Sequence, residues 1–266
     1  MRSPSPKVVI NIFPHMPSLT HLNLSSTSIA GLSKEIRVLV NLRYLNISNT
    51  KIQSLPSKLK ELKELKYFLF RCKYYGDIAA RKVDGLSTIS MLPKLQVLDL
   101  FENTCLEESD LRLLMDRNRI MAIGLVVDSV EILVLLKHLP TWKIRLHNIQ
   151  NMHTLQLCGL SNKHGEGLMA LHISGCSFEE LLINGNVVNL KHFYLFDLEK
   201  LKQISWPAET LPSECFQRLT FVDILFCEYL RSLSWVLHLQ YLRRLRVQGC
   251  SAMEELVDPA DADQMQ

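Results

Sequence analysis

The chain has 266 residues, of which 47% are hydrophobic and 21% are charged, so it can bury a large core. Its 30 basic and 27 acidic residues leave a formal net charge of +3, and this near balance argues against a nucleic-acid partner. The most apolar window, residues 123–139, contains three charges, and residues 8–13 are too short for a signal-peptide core, which together favour a cytoplasmic protein without a membrane span.

One pattern, apolar-x-x-apolar-x-apolar, recurs ten times along the chain, as in residues 19–24 and 42–47. Side chains of a strand alternate between its two faces, so the last two apolar residues of each motif point into a core and the residue between them faces away. A single motif cannot bury its apolar side, whereas stacked neighbours build a continuous core. We call the fourth residue of each motif its marker; the markers are Leu22, Leu45, Phe68, Leu98, Ile123, Ile144, Leu171, Phe193, Val222 and Leu245.

The spacing of the markers is typical of leucine-rich repeats. We therefore predict an α/β solenoid, a leucine-rich-repeat horseshoe of about ten repeats with a concave parallel β-sheet and convex helices, 3-10 turns and loops. Residues 109–114 and 129–136 each begin with a Ser that can cap a helix, and Pro140 should stop the second helix. The predicted boundaries are a partial or disordered N-terminal segment at 1–12, a leucine-rich-repeat domain at 13–257 and a polar C-terminal tail at 258–266.

The ninth residue of the repeat consensus is a second regular feature. In six repeats it is a residue that can hydrogen-bond the backbone in the turn after the strand, namely Thr27, Thr50, Asn103, Cys176, Cys227 and Cys250. The chain has seven cysteines, an odd number, and it lacks the cysteine-rich caps of extracellular repeat arrays. Reduced thiols in the cytosol are therefore predicted.

Motifs for catalysis, metals or cofactors are weak throughout. Gly165-Glu-Gly167 matches a loose dinucleotide fingerprint, but the residues after it should form a repeat strand rather than a helix. No cysteine or histidine spacing suits a metal, and no nucleophile elbow is present in the sequence. We therefore predict that the protein is not an enzyme and has no catalytic residues, cofactor or metal.

Functional information should instead lie on the outward-facing strand residues of the concave face. In the first half of the chain these are small and polar, as at Asn23 and Asn46, and in the second half they are cationic and aromatic. Arg and aromatic side chains dominate binding hot spots, so we predict contact with an acidic or phosphorylated patch of a protein. The ten predicted partner-binding residues are Lys143, Arg145, His172, His192, Tyr194, Phe196, Phe221, Asp223, Arg244 and Arg246.

Several stretches resemble one known family. Residues 16–29, 39–56 and 92–101 closely resemble the repeats of plant nucleotide-binding leucine-rich-repeat disease-resistance proteins. Residues 168–181 and 242–256 are similar to the C-terminal repeats of the coiled-coil subgroup of that family. The sequence contains no phosphate-loop motif, so the resemblance implies a truncated receptor that lacks the nucleotide-binding domain.

Members of that family are intracellular immune receptors, whose repeats recognise a pathogen effector or a guarded host protein and hold a nucleotide switch domain inactive. The resemblance therefore implies a recognition and autoinhibition module in plant defence. Its partner would be an effector, a guarded host protein or a nucleotide-binding switch domain absent from this chain. The alternative is a free-standing adaptor, such as a ubiquitin-ligase substrate-recognition subunit, which would need an F-box-like segment that the sequence does not show.

Overall fold

A computed structural model describes residues 9–10, 12–71, 83–116, 120–157, 167–184, 187–208 and 210–257. The chain divides into two compact units, Met1–Val126 and Val127–Gln266, which we call unit one and unit two. The predicted tail at 258–266 lies outside the described residues, as does the predicted segment at 1–12 apart from residues 9, 10 and 12.

Unit one is built from short parallel strands, with one principal strand in each repeat. Its strands are β1 (Val9–Ile10), β2 (His21–Asn23), β3 (Gly31–Leu32), β4 (Tyr44–Asn46), β5 (Tyr67–Leu69), β6 (Val97–Asp99) and β7 (Ala122–Val127). Strands β2, β4, β5, β6 and β7 lie side by side in that order and form the main sheet of the unit. Strand β1 pairs only with β3, in a separate two-stranded sheet.

Unit two repeats this arrangement with strands of three to seven residues. They are β8 (Thr141–His147), β9 (Thr154–Gln156), β10 (Ala170–Ser174), β11 (Glu180–Leu182), β12 (His192–Phe196), β13 (Gln203–Ser205), β14 (Phe221–Leu225) and β15 (Arg244–Gln248). Strands β8, β10, β12, β14 and β15 form the main sheet, and β9, β11 and β13 form a smaller one. All pairings are parallel, as expected for strands that repeat in the same direction.

The markers stack directly on one another within each unit, which confirms the predicted register. In unit one they pair in the order Leu22, Leu45, Phe68, Leu98 and Ile123. In unit two they pair in the order Ile144, Leu171, Phe193, Val222 and Leu245. Leu22 and Leu245 are half-buried, and the other eight markers are no more than 1% exposed. The repeats are therefore held together by a continuous apolar ladder rather than by the core of any one repeat.

Helices between the strands are few and short. They are α1 (Ser87–Ser90), α2 (Glu108–Asp116), α3 (Val130–Leu135) and α4 (Pro212–Cys215), with 3-10 helices at Phe13–His15, Lys34–Val38, Ser57–Glu61, Leu136–His138 and Ser234–His238. Ser129 caps α3 as predicted, since its Oγ accepts a hydrogen bond from the Ile132 amide at 3.3 Å. Helical structure then ends at His138, before Pro140. The predicted cap at Ser109 is wrong, because α2 begins at Glu108 and Ser109 lies in its first turn.

The turn after each strand has a common backbone conformation. In eight described repeats the residue four positions after the marker has a φ between 53° and 69°; these residues are Ser26, Asn49, Glu102, Asn148, Gly175, Asp197, Phe226 and Gly249. Gly, Asn and Asp tolerate this left-handed region, whereas a bulky aromatic residue is strained there. Phe226 is therefore the exceptional member of the series.

The next residue of each turn is the ninth of the consensus, and its predicted role is confirmed in all six repeats. Thr27 and Thr50 donate hydroxyl hydrogen bonds of 2.7 and 2.8 Å to carbonyl oxygens in their own turns. Asn103 donates a 2.6 Å hydrogen bond to the Phe70 carbonyl of the preceding repeat. Longer thiol hydrogen bonds to backbone carbonyls, 3.4 to 3.9 Å, are made by Cys176, Cys227 and Cys250. These bonds tie the side chain at this position to the backbone of a turn.

Candidate functional site

All ten predicted partner-binding residues lie on one face of the main sheet of unit two, opposite to the markers. We call this surface the outer face. The strand register arranges most of its residues in two rows that cross β8, β10, β12, β14 and β15. The first row is Lys143, Ala170, His192, Phe221 and Arg244, and the second is Arg145, His172, Tyr194, Asp223 and Arg246. Phe196 lies beside the second row at the end of β12.

The first row contains a stack of three side chains from neighbouring strands. The His192 and Phe221 rings are parallel within 5° with centroids 4.8 Å apart, and the Arg244 guanidinium lies 5.0 Å from the Phe221 centroid. Arg244 also donates a 2.8 Å hydrogen bond from Nη2 to Asp223 Oδ2. Cation–π and ion-pair contacts thus hold a guanidinium against an aromatic ring, which fixes the shape of this part of the face.

A second aromatic group crosses β10 and β12. The His172 and Tyr194 centroids are 5.1 Å apart, and Tyr194 stacks on Phe196 at 6.1 Å with an interplanar angle of 7°. Phe196 in turn meets Phe226 edge-on at 5.7 Å. Phe226, which is 45% exposed, extends the aromatic surface into the strained turn after β14.

Close packing against the next repeat holds Phe226 in place. A Cβ atom on Gly249 would lie 2.6 Å from Phe226 Cδ1, so the ring occupies space that only a glycine leaves open. Gly249 itself has a φ of +69°. Sequence reasoning missed Phe226 because it falls after the outward strand positions. The signal that could have found it is a Phe at a position that is small or polar in the other seven left-handed turns of the series.

Arg145 differs from the other cations of the outer face because it is only 3% exposed. Its Nε donates a 3.2 Å hydrogen bond to Ser174 Oγ, and His147 Nδ1 is 3.1 Å from the same hydroxyl. Because it is buried, Arg145 lies beneath the outer face and contacts Ser174 rather than solvent. The cations at the surface are Lys143, which lies 4.6 Å from the centroid of the Trp142 ring, together with Arg244 and Arg246.

Electrostatics at the outer face favour a neutral His192. Burial lowers the pKa of His192, and the nearby His172, Lys143 and Arg244 lower it further. An imidazole whose pKa falls below its usual value is unprotonated at pH 7, which suits its stacking on Phe221. The same neighbours make this part of the face attractive to an anionic group.

The prediction that the outward residues of the first half are small and polar describes only part of that surface. Asn23 and Asn46 shape their own turns, because each side-chain oxygen accepts a 3.0 Å hydrogen bond from a backbone amide two residues on. The outward residues before the first three markers form an aromatic row instead. His21 and Tyr44 stack at 6.0 Å, and Tyr44 lies 6.3 Å from Tyr67, which is 41% exposed. The signal was present in the sequence, since each of these residues immediately precedes a marker.

Groups that could support metal or thiol chemistry are limited in the described ranges. No cluster of three or more His, Cys, Asp or Glu there has the geometry to hold a metal ion. Five described cysteines are free thiols. A hydrogen bond from Cys227 lowers the pKa of Cys250, and the same contact, with burial, raises the pKa of Cys227. Gly167 of the glycine-rich run precedes strand β10 rather than a helix, as predicted.

Comparison with known proteins supports the fold. No protein-family model matches the chain, and no curated protein matches its sequence. The functional domain of InlJ from Listeria monocytogenes is similar in structure, with a TM-score of 0.52 and 18% identity over 96% of this chain. This chain spans about half of that protein, 49% of its length. The fold is a leucine-rich-repeat solenoid.

Other leucine-rich-repeat structures are similar at lower scores. A leucine-rich-repeat protein of Leptospira interrogans matches with a TM-score of 0.44 and 18% identity over 93% of this chain and 69% of its own length. The plant peptide hormone receptor RGFR1, solved in complex with RGF2, matches with a TM-score of 0.44 and 17% identity over 89% of this chain and 43% of its own length. Across the described part of the solenoid, no helix has the length and hydropathy needed to span a membrane.

Proposed function

We propose that the chain is a protein-recognition module and that the outer face of unit two contacts the partner. The observation that carries this proposal is the joined stack of His192, Phe221 and Arg244, fixed by Asp223. Aromatic and Arg side chains contribute most of the binding energy in protein interfaces, and a face that is already ordered loses little entropy on binding. A regular solenoid sheet supplies this order without help from the partner.

The strained turn at Phe226 supports the same surface. A bulky residue in the left-handed region costs about 1–2 kcal/mol, and Phe226 remains 45% exposed. The strain at Phe226 is not needed for folding, since Asn or Gly would fit the turn without strain. An exposed aromatic ring held at the rim of the outer face is instead well suited to contact a partner.

The charge of the surface indicates the chemistry of the partner. Asp223 neutralises Arg244 within the face, while Lys143 and Arg246 add positive charge on either side of the rings. We infer that the partner presents an acidic or phosphorylated patch with an apolar centre, because such a patch pairs with the cations and covers the rings.

We further propose that the module belongs to a cytoplasmic plant immune receptor. The support is the resemblance of its repeats to those of nucleotide-binding disease-resistance proteins, in particular at residues 39–56 and 242–256. In that setting residues 13–257 would sense an effector or a guarded host protein. The same residues would restrain a switch domain on another part of the receptor.

A matched pair of variants tests the recognition surface. The chain is immobilised and exposed to plant leaf extract, and captured proteins are quantified for the parent, for Tyr194→Ala/Arg246→Ala and for Tyr229→Ala/Arg231→Ala. The control changes the same residue types on exposed positions outside the outer face. We expect a specific partner to be lost only with Tyr194→Ala/Arg246→Ala.

The affinity of that partner is then measured by calorimetry. Each outer-face substitution should cost about 1–3 kcal/mol of binding free energy. Circular dichroism should show unchanged folding, since both side chains point away from the core. Binding that survives the outer-face changes and fails with the control pair would place recognition elsewhere on the unit.

A further inference from the structure

Unit two also contains a groove of about 830 Å³, which lies at the edge of its main sheet where β12, β14 and β15 begin. We call it the edge groove. Its wall is formed by residues that immediately precede β12, β14 and β15, and by residues in and after α4 and the last 3-10 helix. The side chains that matter for its chemistry are Lys191, Glu214, Arg218, His238, Tyr241 and Arg243. None of them belongs to the outer face described above.

The backbone holds the cations of one wall at fixed positions. The Thr220 amide donates to the Lys191 carbonyl at 3.1 Å, and the Arg243 amide donates to the Thr220 carbonyl at 2.9 Å. Lys191 and Arg243 are therefore anchored two strand spacings apart, about 10 Å, with Thr220 between them. Thr220 Oγ1 also bonds the Lys191 carbonyl at 3.1 Å, which further orders this wall.

The floor of the groove is rigid. Phe216 is 3% exposed and its ring packs against Trp235 at 5.7 Å, Trp206 at 6.3 Å and Phe193 at 5.9 Å. A floor made of interlocked aromatic rings does not collapse when the groove is empty. The protein therefore loses little conformational entropy when a ligand binds in the groove.

The groove has an excess of positive charge. Lys191, Arg218 and Arg243 line it, against the single carboxylate of Glu214, which leaves a formal charge of +2. Glu214 Oε2 accepts a 3.4 Å hydrogen bond from the Leu211 amide at the start of α4. Within the described ranges, no carboxylate lies at ion-pair distance from the three cations. Three cations thus line one groove, and its net formal charge of +2 is not neutralised by an ion pair to any of them among the described residues.

We propose that the edge groove binds the phosphorylated side chain of a serine or threonine in a partner peptide. A phosphomonoester carries about −1.5 to −2 charges at pH 7, which matches the excess charge of the groove, whereas one carboxylate would neutralise only half of it. Two guanidinium groups can each give bidentate hydrogen bonds to phosphate oxygens. Tyr241, 62% exposed at the rim, offers a ring against which the flanking peptide can pack.

Nucleic acid fits the groove less well than a phosphopeptide. Nucleic-acid binding normally requires a basic stripe that follows a backbone of repeated phosphates, and the chain as a whole has a net charge of +3. The cations of the edge groove form a single local cluster instead. A single dianionic group is the ligand whose charge this cluster matches.

A peptide array followed by fluorescence polarisation tests the proposal on the full chain. The array holds degenerate peptides with phosphoserine or phosphothreonine at the centre, beside the same peptides with serine, threonine or glutamate there. We expect binding only to the phosphorylated sets. The strongest labelled phosphopeptide is then titrated with the parent and with Arg218→Gln/Arg243→Gln, which should weaken binding by about tenfold or more.

Two matched variants distinguish an effect of the groove from a general loss of charge and from an effect of the outer face. Lys200→Gln/Arg231→Gln removes the same net charge outside the groove and should leave phosphopeptide affinity within about twofold of the parent. Tyr194→Ala/Arg246→Ala alters the outer face and should also leave phosphopeptide affinity unchanged. Failure of one proposed site therefore does not imply failure of the other. If circular dichroism shows that Arg218→Gln/Arg243→Gln is unfolded, Lys191→Gln replaces it with the same expected direction.

Three results would overturn the proposal. The first is equal binding of phosphorylated and unphosphorylated peptides. The second is equal loss of affinity in the groove variant and in the charge-matched control. The third is stronger competition by polyuridylate than by unlabelled phosphopeptide, which would make the groove a nucleic-acid site.

Discussion

Replacement of Leu171 by Ala measures how much one marker contributes to the free energy of unfolding. Leu171 is 0% exposed and pairs with Ile144 and Phe193 in the adjoining strands. Truncation removes three buried carbon groups at about 0.8 kcal/mol each, and the cavity left between fixed strands adds to the loss. We expect the free energy of unfolding to fall by about 3–5 kcal/mol. Leu211→Ala, at a leucine that is 54% exposed, should cost no more than about 0.5 kcal/mol.

Urea denaturation followed by tryptophan fluorescence is the appropriate assay, because Trp142, Trp206 and Trp235 all lie in unit two with Leu171. The midpoint should shift to lower urea with little change in the slope of the transition. A loss below about 1 kcal/mol for Leu171→Ala, or an equal loss for Leu211→Ala, would refute the argument that ladder burial holds the repeats together.

Three further outcomes are expected. Cys250 should react with iodoacetamide at a lower pH than an ordinary thiol, because the thiolate is the nucleophile and contact with Cys227 lowers its pKa; Cys227→Ala should move the midpoint of the reaction up toward about 8.5, as followed by mass spectrometry. Phe226→Asn should leave stability unchanged or raise it by up to about 1 kcal/mol while weakening partner binding; a large loss of stability would show that the ring serves folding. Gly249→Ala should destabilise by about 1–2 kcal/mol in urea titrations, since its φ is +69° and the added methyl must displace the exposed Phe226 ring.

Sequence periodicity was sufficient to predict the register of every principal strand. The reason is that a slip of one residue would turn a marker such as Leu45 or Leu98, both 0% exposed, toward solvent and carry its polar neighbours into the core. The ninth consensus position was predictable for a similar reason. A buried turn needs a side chain that bonds its carbonyls, and only a few residue types, such as Thr50 or Asn103, can do this.

Outward positions could be assigned from the same alternation, but their environments could not. Arg145 and Arg244 occupy adjacent rows of one face, yet the first is buried beside Ser174 and the second lies over Phe221. Alternation decides which face of the sheet a side chain occupies. Whether that side chain is then covered depends on neighbours about 20 to 30 residues away in sequence, one repeat along, which the local pattern does not specify.

What the sequence by itself determined was therefore the solenoid, its register and the face that carries cations and rings, because these follow from burying every second residue of a repeated strand. The tertiary structure alone decided two further features: the contact of the Phe226 ring with Gly249, and the edge groove between Lys191 and Arg243. Each of these depends on the distance between different repeats. Such distances are set by strand spacing and by the path of the turns, for which a linear pattern of apolar residues carries no information.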